Sequence, residues 1–366
     1  MRIVFFGSSS FVVPILEDIK NSEQQSLFQV LQDRQEGMAT FSPSIIEILE
    51  ILAKLQNSNS EFSKLIFSPI ELIGAVSQSN NIHRGKTIKS PVALWSENNL
   101  VKLFQPEKLN KEFENWEEFV GNSFDVSIIA SFGQIIGKKY LGKGNWINWH
   151  PSKLPEYRGP SPLQQAIADG KDSTALSWIK VEKAMDAGEI YLQIPVNIEN
   201  KNFIELSTQM GEIGKLTWPV AVLHSILSNQ VAYLNQSNSD LDKLKNLLKI
   251  IVQDQAMATF TPMLSKENSL VDPHQQTAEE IYNHYKAYIE YPKTYFYSKY
   301  FEQKVRLDSV LGHETEEIEN ADGKEWLRID NRSDYLLLSC KNNSWLKVES
   351  ITLENGKQVI LKGLQL

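Results

Sequence analysis

Residues 2–20 read RIVFFGSSSFVVPILEDIK. Arg2 to Phe6 is an apolar, β-prone run that stops at Gly7, and three serines separate it from an amphipathic stretch with helical spacing. Strand, tight turn and helix in that order open a doubly wound α/β domain. The turn lacks the G-x-G-x-x-G fingerprint, so dinucleotide binding is not indicated. The same rhythm continues downstream. IELIGAVS (70–77), LVKLFQP (100–106), FDVSIIASF (124–132) and WINWH (146–150) read as further strands. FDVSIIASF is apolar on both faces, as a central parallel strand must be. SPLQQAIADG reads as a helix ending at Gly170, STALSWIKVE and EIYLQIPVNI as strands, and 203–228 as an amphipathic helix. The fold class expected is therefore α/β, with a mainly parallel sheet, followed by a smaller β-rich domain.

Residues 20–68 interrupt this rhythm. They are rich in Gln, Ser and Asn at both ends, with one clear helix in SPSIIEILEILAKLQ for which Ser42 or Ser44 can serve as N-cap. They read as an insertion in an N-terminal domain spanning 1–228. A connector with a basic amphipathic helix covers 229–256, and a C-terminal domain covers 257–366. In that last part Thr277 caps a helix, TAEEIYNHYKAYI. Short strands follow in TYFYSKYFEQKVRLDSV, WLRID, YLLLSC and WLKVESITL, with turns at ADG and ENG.

At 366 residues the chain is long enough for two domains, and its 42% hydrophobic content supports a large core. No apolar run reaches the ~20 residues of a membrane span, and MRIVFFGSSS reads as a strand, not a signal peptide. A soluble, cytoplasmic protein is expected, with a monomer the simplest state. The single cysteine, Cys340, excludes a disulfide framework and reads as a buried, inert thiol. Six histidines without ligand spacing suggest no metal. A net charge of −8 argues against broad nucleic-acid binding but leaves room for a local basic patch. Lys286, Lys293, Lys299, Lys304 and Arg306 lie interleaved with Tyr and Phe, which suits either a nucleic-acid face or a barrel strand with solvated lysines.

The chemistry concentrates in WINWHPSKLPEYRGPSP (146–162). Residues two apart on a strand share a face, so Asn148 and His150 can converge on one atom while Trp149 points away. Asp186, in the turn-like KAMDAGEI, can orient the imidazole or exchange a proton with it. Amide, imidazole and carboxylate together suit acyl-group chemistry.

Asn-x-His-x-Ser, x-Leu-Pro-x-Tyr-Arg-Gly and a later Asp-x-Gly resemble the core of the 10-formyltetrahydrofolate-dependent formyltransferases. The likeness includes RIVFFG, LIGAVSQSNNIHRGKTIKSPV, ASFGQII, MATFTPMLSKEN and AEEIYNHYKAYIEYP, but not 20–68 or the stretch before 253. The resemblance implies a Rossmann-like catalytic domain and an OB-like C-terminal barrel that helps hold tRNA, with initiator methionyl-tRNA the acceptor in the closest pattern. It implies a catalytic trio of Asn148, His150 and Asp186. Phe132, Gly133 and Gln134 match the segment lining the pterin pocket, and Ser152, Leu154, Pro155, Arg158 and Gly159 the loop beside the folate. Arg84, Gly85 and Lys86 match a basic loop near the tRNA acceptor end, and Lys293 and Lys299 are further candidate tRNA contacts. Phe132 can equally be core, and Arg158 can equally tie down its own loop. A formyltransferase for a nucleotide-linked amino sugar, and a noncatalytic folate- or RNA-binding protein, are the alternatives.

Overall fold

The computed structural model describes residues 1–41, 44–58, 60–83, 85–121, 123–230, 239–315, 325–327 and 334–361. Nine strands occur among the described residues of the first part of the chain. They are β1 (Arg2–Gly7), β2 (Glu71–Val76), β3 (Asn81–His83), β4 (Lys86–Ile88), β5 (Leu103–Phe104), β6 (Val126–Ala130), β7 (Asn145–His150), β8 (Ser173–Lys180) and β9 (Ile190–Asn197). Seven form one sheet in the order β5-β2-β1-β6-β7-β8-β9. β2, β1, β6 and β7 pair parallel, β5 pairs parallel with β2, and β7 pairs antiparallel with β8. The chain leaves β1 toward β2 on one side and later returns to its other side at β6. The carboxyl ends of β1 and β6 therefore form the topological switch point, where open α/β sheets place their ligands. β3 and β4 make a separate hairpin.

β6 is buried along its whole length, as its two-faced apolar pattern requires. Beside it lies an aromatic cluster including Phe6, Trp116, Phe132, Tyr140 and Trp146. Gly7 permits the close passage of β1 and β6, since a Cβ there would stand 2.9 Å from the Ala130 carbonyl oxygen. Pro162–Ala168 is helical, and Gly170 follows it in the left-handed conformation with φ +66°, the usual exit from a helix.

The interval 20–68 departs from the single helix expected. Leu27–Asp33, Gln35–Ala39, Ile45–Leu55 and Glu61–Phe67 are all helical. The polar residues that concealed the outer helices are their caps: Ser26 and Gln29 form a capping box, and Ser60 accepts from Ser63 N at 3.1 Å. Ser44 occupies the N-cap position of Ile45–Leu55 without a side-chain capping bond, and Ser42 lies outside the described residues. In the connector, Ser239–Leu247 is helical and carries Asp240 and Asp242 beside its lysines, so its charge is mixed and not simply basic.

The remaining strands are β10 (Thr294–Ser298), β11 (Gln303–Glu314), β12 (Trp326–Leu327), β13 (Leu336–Cys340), β14 (Ser344–Leu353) and β15 (Gln358–Ile360). They form an antiparallel sheet in the order β10-β11-β14-β13-β12, with β15 on β14, curled into a half-barrel. Register shifts between Leu307 and Gly312 bend β11 against β14 and supply the curl. Thr277 and Glu280 form the capping box that starts the helix Ala278–Ala287. Gly356 turns at ENG with φ +85°, while ADG and most of WLRID lie outside the described residues.

Contacts divide the chain into two compact units. One comprises Met1–Arg158, Ala175–Val196 and Ser207–Phe260, and the other Gly159–Thr174, Asn197–Leu206 and Thr261–Leu366.

Candidate active site

β7 delivers two polar side chains to one face. Asn148 lies opposite Ile129 of β6 and Ile179 of β8, and His150 lies opposite Ser177. Trp149 takes the other face, 2% exposed, with its ring 5.8 Å from that of Phe11. There the helix Phe203–Gln230 passes so near that a Cβ at Gly214 would stand 2.6 Å from the indole nitrogen.

Asp186 enters from the turn between β8 and β9. Its φ of +51° is left-handed, a conformation that Asp tolerates better than most residues and that recurs at functional sites. Asn148 Nδ2 donates to Asp186 Oδ1 at 3.1 Å, and His150 Nδ1 faces Asp186 Oδ2 at 3.6 Å. The imidazole is buried, and its Nε2 lies 3.0 Å from the Tyr157 carbonyl oxygen. That carbonyl can only accept, so Nε2 carries the hydrogen. Tyr157 itself has φ +59°.

The loop after β7 is tied at every turn. Ser152 Oγ donates to Glu156 O at 2.7 Å, Ser177 Oγ to Ser152 O at 2.6 Å, and Gln193 Nε2 to Leu154 O at 3.0 Å. Leu154 packs with Ile179 and Ile190, and the Leu154–Pro155 peptide is cis. Arg158 is 3% exposed and gives hydrogen bonds to Gln253 Oε1 and Gln255 Oε1. Both of these acceptors are neutral amide oxygens. Burial pulls its guanidinium below the ordinary value, and the charge of Asp186 opposes the shift.

Beyond β6, Ser131 has φ +52° and Gly133 φ +81°. A Cβ at Gly133 would lie 2.0 Å from Gln78 Nε2. The Gln134 side chain binds the backbone, accepting from Leu109 N at 2.8 Å and donating to Pro106 O at 3.1 Å. Phe132 is 2% exposed and meets Phe6 edge to face. Ser9 and Ser131 share a hydroxyl hydrogen bond of 2.6 Å, and Ser77, just after β2, shares one of 2.5 Å with Ser90, the N-cap of the helix Pro91–Asn98.

The candidate cations that are described fall in both units. Lys86 is exposed on the β3–β4 hairpin and Arg84 lies outside the described residues. In the C-terminal unit Lys299 is exposed, while Lys293 donates to the Ile289 carbonyl and lines a small cavity with Tyr285, Tyr288 and Asp308. Gln253, Gln193 and Ser177 are prominent in the site's support and were not read from the sequence. Gln253 stands in IVQDQ without a periodic or motif signal.

The sequence model described as "Formyl transferase" matches residues 48–212, and the one described as "Formyl transferase, C-terminal domain" matches residues 263–364. A methionyl-tRNA formyltransferase of Thermotoga sp. is 32% identical over 234 residues, covering 62% of this chain and 68% of that protein. The chain belongs to the formyl transferase family. A second methionyl-tRNA formyltransferase, from Sulfurihydrogenibium sp., is 29% identical, covering 75% of this chain and 85% of that one. HypX from Aquifex aeolicus, solved in complex with tetrahydrofolic acid, shares the fold with a TM-score of 0.51 at 13% identity, covering 100% of this chain and 48% of that one. Asn148, His150 and Asp186 all lie within the first formyl transferase match, whereas Gln253 falls between the two matches and β1 ahead of both.

Proposed function

We propose that the protein transfers the formyl group of 10-formyltetrahydrofolate to the amino group of initiator methionyl-tRNA. Membership of the formyl transferase family and the two methionyl-tRNA formyltransferase relatives support the donor class and the acceptor. The cluster of Asn148, His150 and Asp186 carries the chemistry.

The amine nitrogen attacks the formyl carbon, the carbon–nitrogen bond to the folate breaks, the amine loses a proton and the folate nitrogen gains one. Charge develops on the formyl oxygen on the way, so a preorganised donor lowers the barrier, typically by about 3 kcal/mol for each donor. Asn148 has a second amide hydrogen for this task besides the one given to Asp186. His150 contributes differently. With Nε2–H committed to Tyr157, the other ring nitrogen, Nδ1, faces the Asp186 carboxylate. The His150–Asp186 pair receives the proton released by the amine. Once protonated, Nδ1–H becomes a second donor.

Residues 1–228 carry this chemistry in our reading, 229–256 connect, and 257–366 help hold tRNA. Phe132, Gly133, Gln134, Ser152, Leu154 and Pro155 are proposed to border the folate, and Arg84, Lys86, Lys293 and Lys299 to meet the tRNA. For Phe132 and Gln134 the contribution is to the shape of the pocket wall, since ring packing and amide bonds hold both in place. No helix among the described residues is long and apolar enough to cross a membrane. A cytoplasmic monomer without a metal completes the proposal.

The test is formyl transfer by the purified protein from 10-formyltetrahydrofolate to charged initiator tRNA. Accumulation of formylmethionyl-tRNA supports the proposal. Transfer to a nucleotide-linked amino sugar, with methionyl-tRNA untouched, overturns the acceptor.

A further inference from the structure

We infer that Gln253 is a positioning residue for the reaction, linking the buried Arg158 guanidinium to the backbone that presents Asp186. Gln253 is 5% exposed, and its amide is fully engaged. Oε1 accepts from Arg158 Nη2 at 2.7 Å and Nε at 3.2 Å, while Nε2 donates to Asp186 O at 2.9 Å and Gly188 O at 2.7 Å. One side chain thus spans the loop after β7 and the turn before β9, the two segments that flank His150 and Asp186.

The turn has reason to need that support. Asp186 holds a left-handed φ of +51°, which persists only when its surroundings enforce it. On one side the turn is pressed against β8, for a Cβ at Gly188 would stand 1.9 Å from the Lys180 carbonyl oxygen. On another, Gln253 grips the carbonyls of Asp186 and Gly188. Arg158 is anchored in its turn by Gln255 Oε1 at 2.8 Å and by its own N–H to Thr259 O at 2.9 Å. The segment 253–259 therefore braces both sides of the site, and Gln253 is the point where the brace reaches Asp186. Misplacing a reacting group by about 1 Å can cost on the order of 100-fold in rate.

The inference rests on the function proposed above. Its test measures kcat, both KM values and thermal stability for Gln253→Ala and Gln253→Glu in the full chain. An ionised Glu keeps an acceptor for Arg158 but has no N–H for the two carbonyls. Both variants are expected to fold and to lose roughly 10- to 100-fold in kcat, with KM for folate and tRNA little changed. Wild-type kcat in the Ala variant overturns the inference. So does rescue by Glu, which would assign the residue to Arg158 alone, or failure of both variants to fold, which would assign it to the scaffold. If the wild type transfers no formyl group, the functional reading fails instead. The positioning role is then read from amide hydrogen exchange over 184–188, expected to accelerate in Gln253→Ala; unchanged exchange contradicts it.

Discussion

Asn148 and Asp186 are 38 residues apart in the chain and joined by one hydrogen bond of 3.1 Å, from the amide nitrogen to Oδ1. The amide is thereby oriented with Nδ2, not its carbonyl oxygen, toward the carboxylate, which leaves a second amide hydrogen for the oxyanion role proposed above. Asn148→Ala removes a donor without adding charge and is expected to lower kcat by about 10²–10³. Steady-state kinetics alongside thermal unfolding check this, and a near-normal kcat would remove Asn148 from the chemistry.

Asp18 anchors the 20–68 interval to the sheet domain. Its Oδ2 accepts from Arg34 Nη1 at 2.5 Å and from Trp218 Nε1 at 2.7 Å, and Arg34 also reaches Ser22 Oγ at 3.1 Å. Asp18→Ala would leave the guanidinium and indole without this acceptor in a largely buried place. A loss of about 3–5 kcal/mol in urea unfolding is expected. A loss below about 1 kcal/mol would show that the interval is only loosely coupled to the core.

His224 gives a pH signature. Burial pushes its imidazole down to about 3 from an ordinary 6.5, and Nδ1 has no partner among the described residues. The native state holds the ring neutral while the unfolded chain protonates it near 6.5, so stability is complete above that pH and falls as pH drops toward 3. The slope from this group is about 1.4 kcal/mol per pH unit. In His224→Leu that share of the acid dependence should vanish in unfolding curves taken between pH 6.5 and 4. Parallel curves for the two proteins would contradict it.

Cys340 is buried, which raises its thiol to about 12. The native protein should resist Ellman's reagent at pH 8 and release its single thiol only in denaturant. Rapid native labelling would place the sulfur in a different environment.

The sheet domain was largely legible because its strands are apolar runs and its turns carry Gly and Ser. RIVFFG revealed β1 although it precedes the matched span of the formyl transferase family, since Ile3 to Phe6 is fully buried and so uniformly apolar. Thr277 was legible as a cap because its partner Glu280 stands at the required spacing. Within the site, Asn148 and His150 followed from strand alternation, and Asp186 from the family motif. Three helices between 20 and 68 were hidden because short helices rich in Ser and Gln have weak periodicity and draw on tertiary packing. Gln253 was hidden for another reason: a glutamine that bonds across the fold leaves no local pattern. The spent Nε2–H of His150 was likewise unreadable, for it depends on where the Tyr157 carbonyl points.

The most direct measurement is single-turnover formyl transfer to methionyl-tRNA by Asp186→Asn compared with the wild type, with folate affinity measured in parallel. The substitution keeps size and removes the carboxylate that faces both Asn148 and His150. A fall in the transfer rate of about 10³ or more, with folate affinity within about twofold, is predicted from the loss of proton acceptance and of the oriented amide. A rate within a few-fold of the wild type would contradict the assignment of this cluster as the reacting centre.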